Sequence, residues 1–132
     1  MWLDELDWGI GMIEGKNLFE TYLNVLKTGE NLPLFYILLY IAKTLFGYNQ
    51  MLLTFFTSII FSFLGVWAVF KICSEFFNKK VRFLTIFLLF TSYAFIVQIA
   101  WQLRPYGLLF CFSSWTLYFY LKRLKDESKK IY

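Results

Sequence analysis

Charged residues divide this chain into long apolar runs. Residues 44–70 carry no Asp, Glu, Lys or Arg over 27 positions, residues 83–103 none over 21, and residues 105–121 none over 17. A fourth uncharged run, residues 31–42, has only 12. A helix needs about 20 predominantly apolar residues, in a range of about 17–25, to cross the hydrocarbon of a bilayer. The pattern therefore predicts three transmembrane helices, near 50–70, 83–99 and 105–121. Pro105 suits the start of the third, because the first turn of a helix has no use for the N–H that proline lacks.

The first 48 residues follow another rhythm. Within 14–27, Leu18, Phe19, Tyr22, Val25 and Leu26 recur on one helical face, with Lys16, Asn17, Glu20, Asn24 and Lys27 on the other. Gly29 stands where a helix stop is expected. A second helix is predicted over 33–46, beginning at Pro33 and ending before Gly47. Its more polar residues Tyr36, Tyr40, Lys43 and Thr44 share a face, which suits a helix lying in the membrane interface. The expected architecture is an all-α membrane protein in a single partial domain. It comprises an external loop (1–48) with two interfacial amphipathic helices, three transmembrane helices within 49–121, and a basic tail (122–132).

Composition strengthens this picture. Of 132 residues, 59% are apolar, 23% aromatic and 17% charged, against about 45–50% apolar and about 25% charged in soluble domains. A fold of this size buries only about two-thirds of its chain surface, so a soluble monomer would leave many of its 17 Phe and 9 Tyr wet. The absence of histidine removes His-based acid–base chemistry and most zinc sites. Cys73 lies at the inner end of one predicted span and Cys111 near the outer end of another, too far apart for a disulfide.

Charge sets the orientation. Residues 1–30 hold six acids and two bases, whereas residues 31–132 hold eleven bases and three acids. Lys71, Lys79, Lys80 and Arg82 join two spans, and Lys122, Arg123, Lys125, Lys129 and Lys130 follow the last. With three spans both clusters fall on one side, which the positive-inside rule makes cytoplasmic. Segment 1–48 and the turn around Arg104 are then external, in a multi-pass plasma-membrane protein. The bases cluster at the ends of apolar runs and do not interleave with aromatics on a polar face, so nucleic acid is not an expected partner; membrane lipid is. Residues 1–15 lack the basic and apolar regions of a signal peptide. An upstream helix is the simplest way to carry an acidic segment across, which would make this chain a piece of a larger multi-span protein.

Two places hold candidate chemistry. Trp2-Leu3-Asp4-Glu5-Leu6-Asp7-Trp8 sets three carboxylates between two tryptophans. A carboxylate at the outer surface suits a general base that takes a proton from an acceptor hydroxyl, or a ligand for a divalent cation. The same residues also suit an acidic loop anchored by its tryptophans. Arg104, in Gln102-Leu103-Arg104-Pro105-Tyr106, is the one charge between the last two spans. Arginine in hydrocarbon is costly, up to roughly 2.5–3.5 kcal/mol at a helix centre, and a helix N-terminus is already positive. A lipid phosphate would relieve both; snorkelling to the headgroups would relieve the first. Tyr36, Tyr40 and Tyr106 are of a type that stacks on sugar rings, with nothing to single them out.

The order of these parts resembles GT-C-type membrane glycosyltransferases, in the group of the dolichyl-phosphate-mannose protein mannosyltransferases, aminoarabinose transferases and RgtA/B/C/D-like proteins. The matching pieces are Asp4-Glu5, Asn31-Leu32-Pro33-Leu34-Phe35-Tyr36-Ile37-Leu38-Leu39, Leu45-Phe46-Gly47 and Arg104-Pro105-Tyr106. Asn31 and Leu32 stand where the family often has His and Pro, and Gln102 stands near a usual Glu. The resemblance implies sugar transfer from a polyprenyl-phosphate donor to a glycan, lipid or protein acceptor on the external or lumenal face. It implies Asp4 as general base and Glu5 as a supporting carboxylate. Arg104 is then a candidate for the donor phosphate, with Gln102 and Tyr106 as neighbours. No cofactor is expected beyond the lipid-linked donor, divalent metal being left open. A chain this short would hold too little of a donor cavity to act alone. The competing reading is a small non-catalytic membrane subunit or a transporter fragment. Spans free of charge speak against transport, since transporters place ionisable or broken segments at the midplane.

Overall fold

The computed structural model describes residues 11, 13–15, 17–28, 33–100 and 103–130. Every element among them is helical. Helix α1 spans Leu18–Thr28. Asn17 starts it: its carbonyl accepts from Thr21 N at 2.8 Å, and its own N–H donates to Glu20 Oε2 at 3.0 Å. That is one half of a capping box, in which a side chain three residues on satisfies the cap's amide. Only a narrow seam of α1, Thr21 and Val25, is fully buried, while Leu18, Phe19, Tyr22 and Leu26 remain exposed.

Helix α2 spans Pro33–Phe46. It ends at Gly47, whose φ of 64° and N–H bond to the Lys43 carbonyl at 2.8 Å form the left-handed cap that glycine adopts without a Cβ penalty. Its sides differ from the sequence expectation. Tyr36 is buried together with Phe35, Leu39 and Ala42, and the exposed side carries Leu34, Ile41, Leu45 and Phe46. The cause is tertiary. Ile13 and Val25 join Tyr36 in one buried cluster, and Lys43 Nζ donates to the Ile13 carbonyl at 3.0 Å.

Asn49 caps the next helix through its Oδ1, which accepts from Leu52 N at 3.3 Å. Helix α3 (Gln50–Thr54) passes through a π-helical segment, Phe55–Ile59, into α4 (Ile60–Phe76), with right-handed backbone at each junction. Met51–Phe76 is thus one apolar stretch of 26 residues, long and apolar enough to cross a membrane, and it alone meets that test among the described residues. At 1.5 Å per residue it is about 39 Å long, against a hydrocarbon core of about 30 Å.

Helix α5 (Lys79–Thr91) starts at Asn78, whose Oδ1 accepts from Val81 N at 2.9 Å. The sequence predicts one continuous helix over 83–99. The structure breaks it at Ser92 (φ −73°, ψ 118°) and resumes as a π-helical segment, Ala94–Ala100. The break is satisfied locally. Ser92 N donates to the carbonyls of Leu88 and Leu89, and Ser92 Oγ accepts from Phe95 N at 3.4 Å. A hydroxyl that offers the backbone such a bond competes with the regular helix.

Helix α6 spans Tyr106–Lys130, so the helix continues past Leu121 into the basic residues. It packs chiefly against α4, and the two run antiparallel. Arg104 meets Ser58 at one end; at the other, Tyr118 Oη donates to Glu75 Oε1 at 2.7 Å and Lys125 Nζ to the Glu75 carbonyl at 3.2 Å. Just beyond, Glu127 bonds Arg123 at 2.8 Å and holds the guanidinium pKa above its ordinary value. Between the two ends, the α-carbon of Gly65 approaches α6 so closely that a Cβ there would overlap the Phe110 ring and lie 3.2 Å from Cys111 Cα. Cys73 and Cys111 are both buried and free.

Gly65→Leu is expected to destabilise the fold, since forcing extra carbons into a packed contact costs about 1–3 kcal/mol. A lower melting temperature of the detergent-solubilised protein checks this, with Gly65→Ala intermediate.

Candidate functional site at the Arg104 turn

The turn before α6 is built from Leu103, Arg104 and Pro105. Leu103 is buried at 3% exposure and anchors it; Pro105 supplies the carbonyl that accepts from Leu109 N at 2.9 Å and so begins the helix. Between these two, Arg104 is exposed. Its carbonyl accepts from Ser58 Oγ at 3.4 Å, which ties the turn to the π-helical segment of the long helix. Tyr106 follows at 43% exposure. The first amides of α6 have no intrahelical acceptor, and the helix dipole makes this end attractive to anions. A cationic side chain beside that end can bind a phosphate by charge and by hydrogen bonds.

Of the residues singled out from the sequence, Arg104 and Tyr106 lie together at this turn. Asp4, Glu5 and Gln102 fall outside the described residues. Tyr36 is 6% exposed and stands edge-on to Phe35 at 5.5 Å, so it does not offer a ring face at the surface.

Two features of the neighbourhood were not picked out from the sequence. The first is a row of buried hydroxyls, Thr54, Thr57, Ser58 and Ser62, beneath the turn. Thr57 bonds the Leu53 carbonyl at 2.8 Å and Ser62 the Ser58 carbonyl at 2.9 Å, whereas Thr54 Oγ1 has no partner. Their spacing is visible in the sequence, since 54, 58 and 62 recur every four residues. The second is Lys43, read only as part of a polar face. Besides its bond to Ile13, its ammonium lies 4.8 Å from the Tyr48 ring centre.

A shared core joins these pieces. Ile13, Val25, Phe35, Leu39, Leu53, Leu103 and Leu108 belong to one buried cluster. Ile13, both short helices, the long helix and the Arg104 turn therefore meet at one end of the bundle. Among the described residues, no group of three or more His, Cys, Asp or Glu side chains is placed to hold a metal ion.

In comparison with known proteins, the family model for dolichyl-phosphate-mannose-protein mannosyltransferase matches residues 30–132. The match starts beyond Asp4 and Glu5 and includes the Arg104 turn. No curated protein and no solved structure matches.

Lys43→Met keeps the packing of the stem and removes the bond to Ile13. It is expected to cost on the order of 1 kcal/mol and to speed amide hydrogen exchange in residues 13–28, with α4 and α6 unchanged.

Proposed function

Because the chain belongs to the dolichyl-phosphate-mannose-protein mannosyltransferase family, membrane glycosyltransferases of the GT-C kind, we propose that it forms the part of such an enzyme that holds the catalytic base and the donor phosphate. In this reading a sugar passes from a polyprenyl-phosphate donor to an acceptor hydroxyl on the external face. The observation that carries it is the common core of Ile13 and Leu103. That core brings Ile13 to the same end of the bundle as Arg104. Asp4 is nine residues from Ile13 in the sequence, a tether that reaches at most about 30 Å.

Asp4 takes the proton of the acceptor hydroxyl as its oxygen attacks the anomeric carbon. The bond from that carbon to the phosphate oxygen breaks, and polyprenyl phosphate leaves with the electron pair. Arg104 and the amides at the head of α6 stabilise the charge growing on that phosphate, which is useful when they are fixed before the reaction begins. Glu5 supports Asp4, and Gln102 and Tyr106 border the phosphate. Lipid and water must both reach this place, and its surroundings suit that. The exposed Leu18, Phe19, Tyr22 and Leu26 of α1 give the external helices an apolar side for the headgroup–acyl boundary.

The topology belongs to the same proposal. Three passages of the bilayer are made by Met51–Phe76, by the broken helix of residues 79–100, and by α6. The basic inner end, with Lys71, Lys79, Lys80, Arg82, Lys122, Arg123 and Lys125, faces the cytoplasm.

Two substitutions in the membrane enzyme that carries this chain test the roles. Asp4→Asn should reduce sugar transfer by about 10²–10⁴-fold while membrane insertion is unchanged; undiminished turnover would overturn the assignment. Arg104→Ala should raise the donor KM and leave the acceptor KM unchanged. Equal effects on both would assign Arg104 a structural role.

A further inference from the structure

Between residues 31 and 125 the chain holds one acid, Glu75. It is turned toward α6, where it accepts from Tyr118 Oη at 2.7 Å. Its neighbour Ser74 serves α5 instead. Ser74 Oγ accepts from Arg82 Nη1 at 3.1 Å, while its own proton goes to the Phe70 carbonyl at 2.8 Å. The Arg82 guanidinium lies over the Phe70 ring, 5.2 Å from its centre. Arg82 is thus held in the corner between α4 and α5, about 24 Å along the long helix from Ser58 and the Arg104 turn. Lysines surround it. Lys71 stands three residues before Ser74 and Lys79 three before Arg82, and residues so spaced are neighbours on a helix surface. Lys80 follows, and all three lysines are exposed. Among the described residues, none of these four cations is paired with a carboxylate. Arginine carries five N–H donors, of which Ser74 takes one.

Cations gathered without counter-charges repel one another, and an anion among them relieves the repulsion. The surroundings select the kind of anion. Helix α5 buries none of its residues. Val81, Leu84 and Leu88 are exposed, and Phe83 and Phe87, exposed as well, stack at 6.2 Å. A partner here meets cations at the head of α5 and apolar surface along the turns that follow. Inorganic phosphate answers only the first. An acidic peptide would set its backbone polar groups against side chains that offer them no hydrogen bond. An anionic phospholipid answers both, with its phosphate among the cations and its acyl chains along the exposed apolar turns. A zwitterionic phospholipid would bring its own ammonium into a patch that lacks an acid. We propose that the α4–α5 corner binds the phosphate headgroup of an anionic glycerophospholipid, with Arg82 as its central ligand and Lys71, Lys79 and Lys80 around it. Basic pockets between membrane helices bind such headgroups, and an arginine edge suits phosphate through paired hydrogen bonds. This site is independent of the role given to Arg104.

The test titrates the full membrane protein, in neutral detergent, with phosphatidylglycerol or phosphatidylcholine and counts retained lipid by native mass spectrometry. Phosphatidylglycerol should be retained in preference. Arg82→Gln should weaken its retention by about fivefold, the effect of one basic side chain near an anionic surface. Because Arg82 also bonds Ser74, the double variant Lys79→Gln/Lys80→Gln, at two exposed positions, serves as a second probe. It should weaken retention at least as much, with an unchanged melting temperature. Lys122→Gln removes the same charge at the same end of the bundle, on α6, and should leave retention as it was. Phosphatidylglycerol bearing a diazirine near the glycerol end of an acyl chain should label peptides containing residues 77–88. Equal retention of phosphatidylcholine, retention undiminished in Arg82→Gln and the double variant, or an equal loss in Lys122→Gln would overturn the proposal. So would displacement of the lipid by inorganic phosphate, or label confined to other peptides.

Discussion

At Gly65 the long apolar helix and α6 come so close that a single added carbon would meet the Phe110 ring. Hydrophobic burial gives little drive to helix association inside a bilayer, because lipid tails are as apolar as leucine; close packing of small residues matters instead. Gly65 supplies that packing near the middle of the pair, and its neighbours Ser62 and Ala68 are also buried. Phe110, packed there, stands edge-on to Phe95, so the same approach sets where the broken helix lies. The spacing at one glycine thus governs both the α4–α6 pair and the position of the broken helix beside it.

Irregular backbone at membrane depth must be satisfied within the protein, whereas in a regular helix a hydroxyl finds its own partner in the carbonyl one turn back. Thr91 Oγ1 bonds the Phe87 carbonyl at 2.9 Å and Ser74 Oγ the Phe70 carbonyl at 2.8 Å. At the break, Ser92 Oγ serves the amide of Phe95, three residues on. Two π-helical segments, one in each neighbouring helix, flank the Arg104 turn. Such segments are rare and recur at functional sites, and here one of them holds the turn through Ser58. Without that bond the Arg104 carbonyl would depend on another partner.

Much of this architecture is legible from single residues. Pro33 and Gly47 bound α2 because proline suits a helix start and glycine a left-handed cap. Asn49 and Asn78, not picked out from the sequence, cap helices through a side-chain oxygen that accepts from a first-turn amide. Arg104 is conspicuous because it is the one charge in a long uncharged stretch. The break at Ser92 is not legible. Thr91-Ser92-Tyr93-Ala94 sits in an apolar run, and hydropathy counts apolar residues without regard to whether a hydroxyl diverts a backbone bond. The facing of α2 is hidden for a different reason. Periodicity shows that Tyr36, Tyr40, Lys43 and Thr44 share a side, but which side is covered depends on α1 and Ile13, far away in the sequence. The hydroxyl row beneath Arg104 has a readable spacing, yet its meaning comes only from the turn that packs against it.

The two ends of the bundle use their charges differently. At the end with Glu75, cations lie over aromatic rings: Arg82 is 5.2 Å from the Phe70 ring centre and Lys125 is 5.1 Å from that of Phe76. Flat rings suit long cationic stems that lie along apolar surface while their heads reach water, so this end can carry many bases without a matching set of acids. At the Arg104 end the described cations are few: Lys27 lies in the last turn of α1, and Lys43 and Arg104 are tied to a backbone or a turn. Lys43 holds the Ile13 carbonyl, and Arg104 is placed by Leu103, Pro105 and Ser58. A sparse, positioned cation suits phosphate chemistry better than a dense basic surface. It sets one location for an anion.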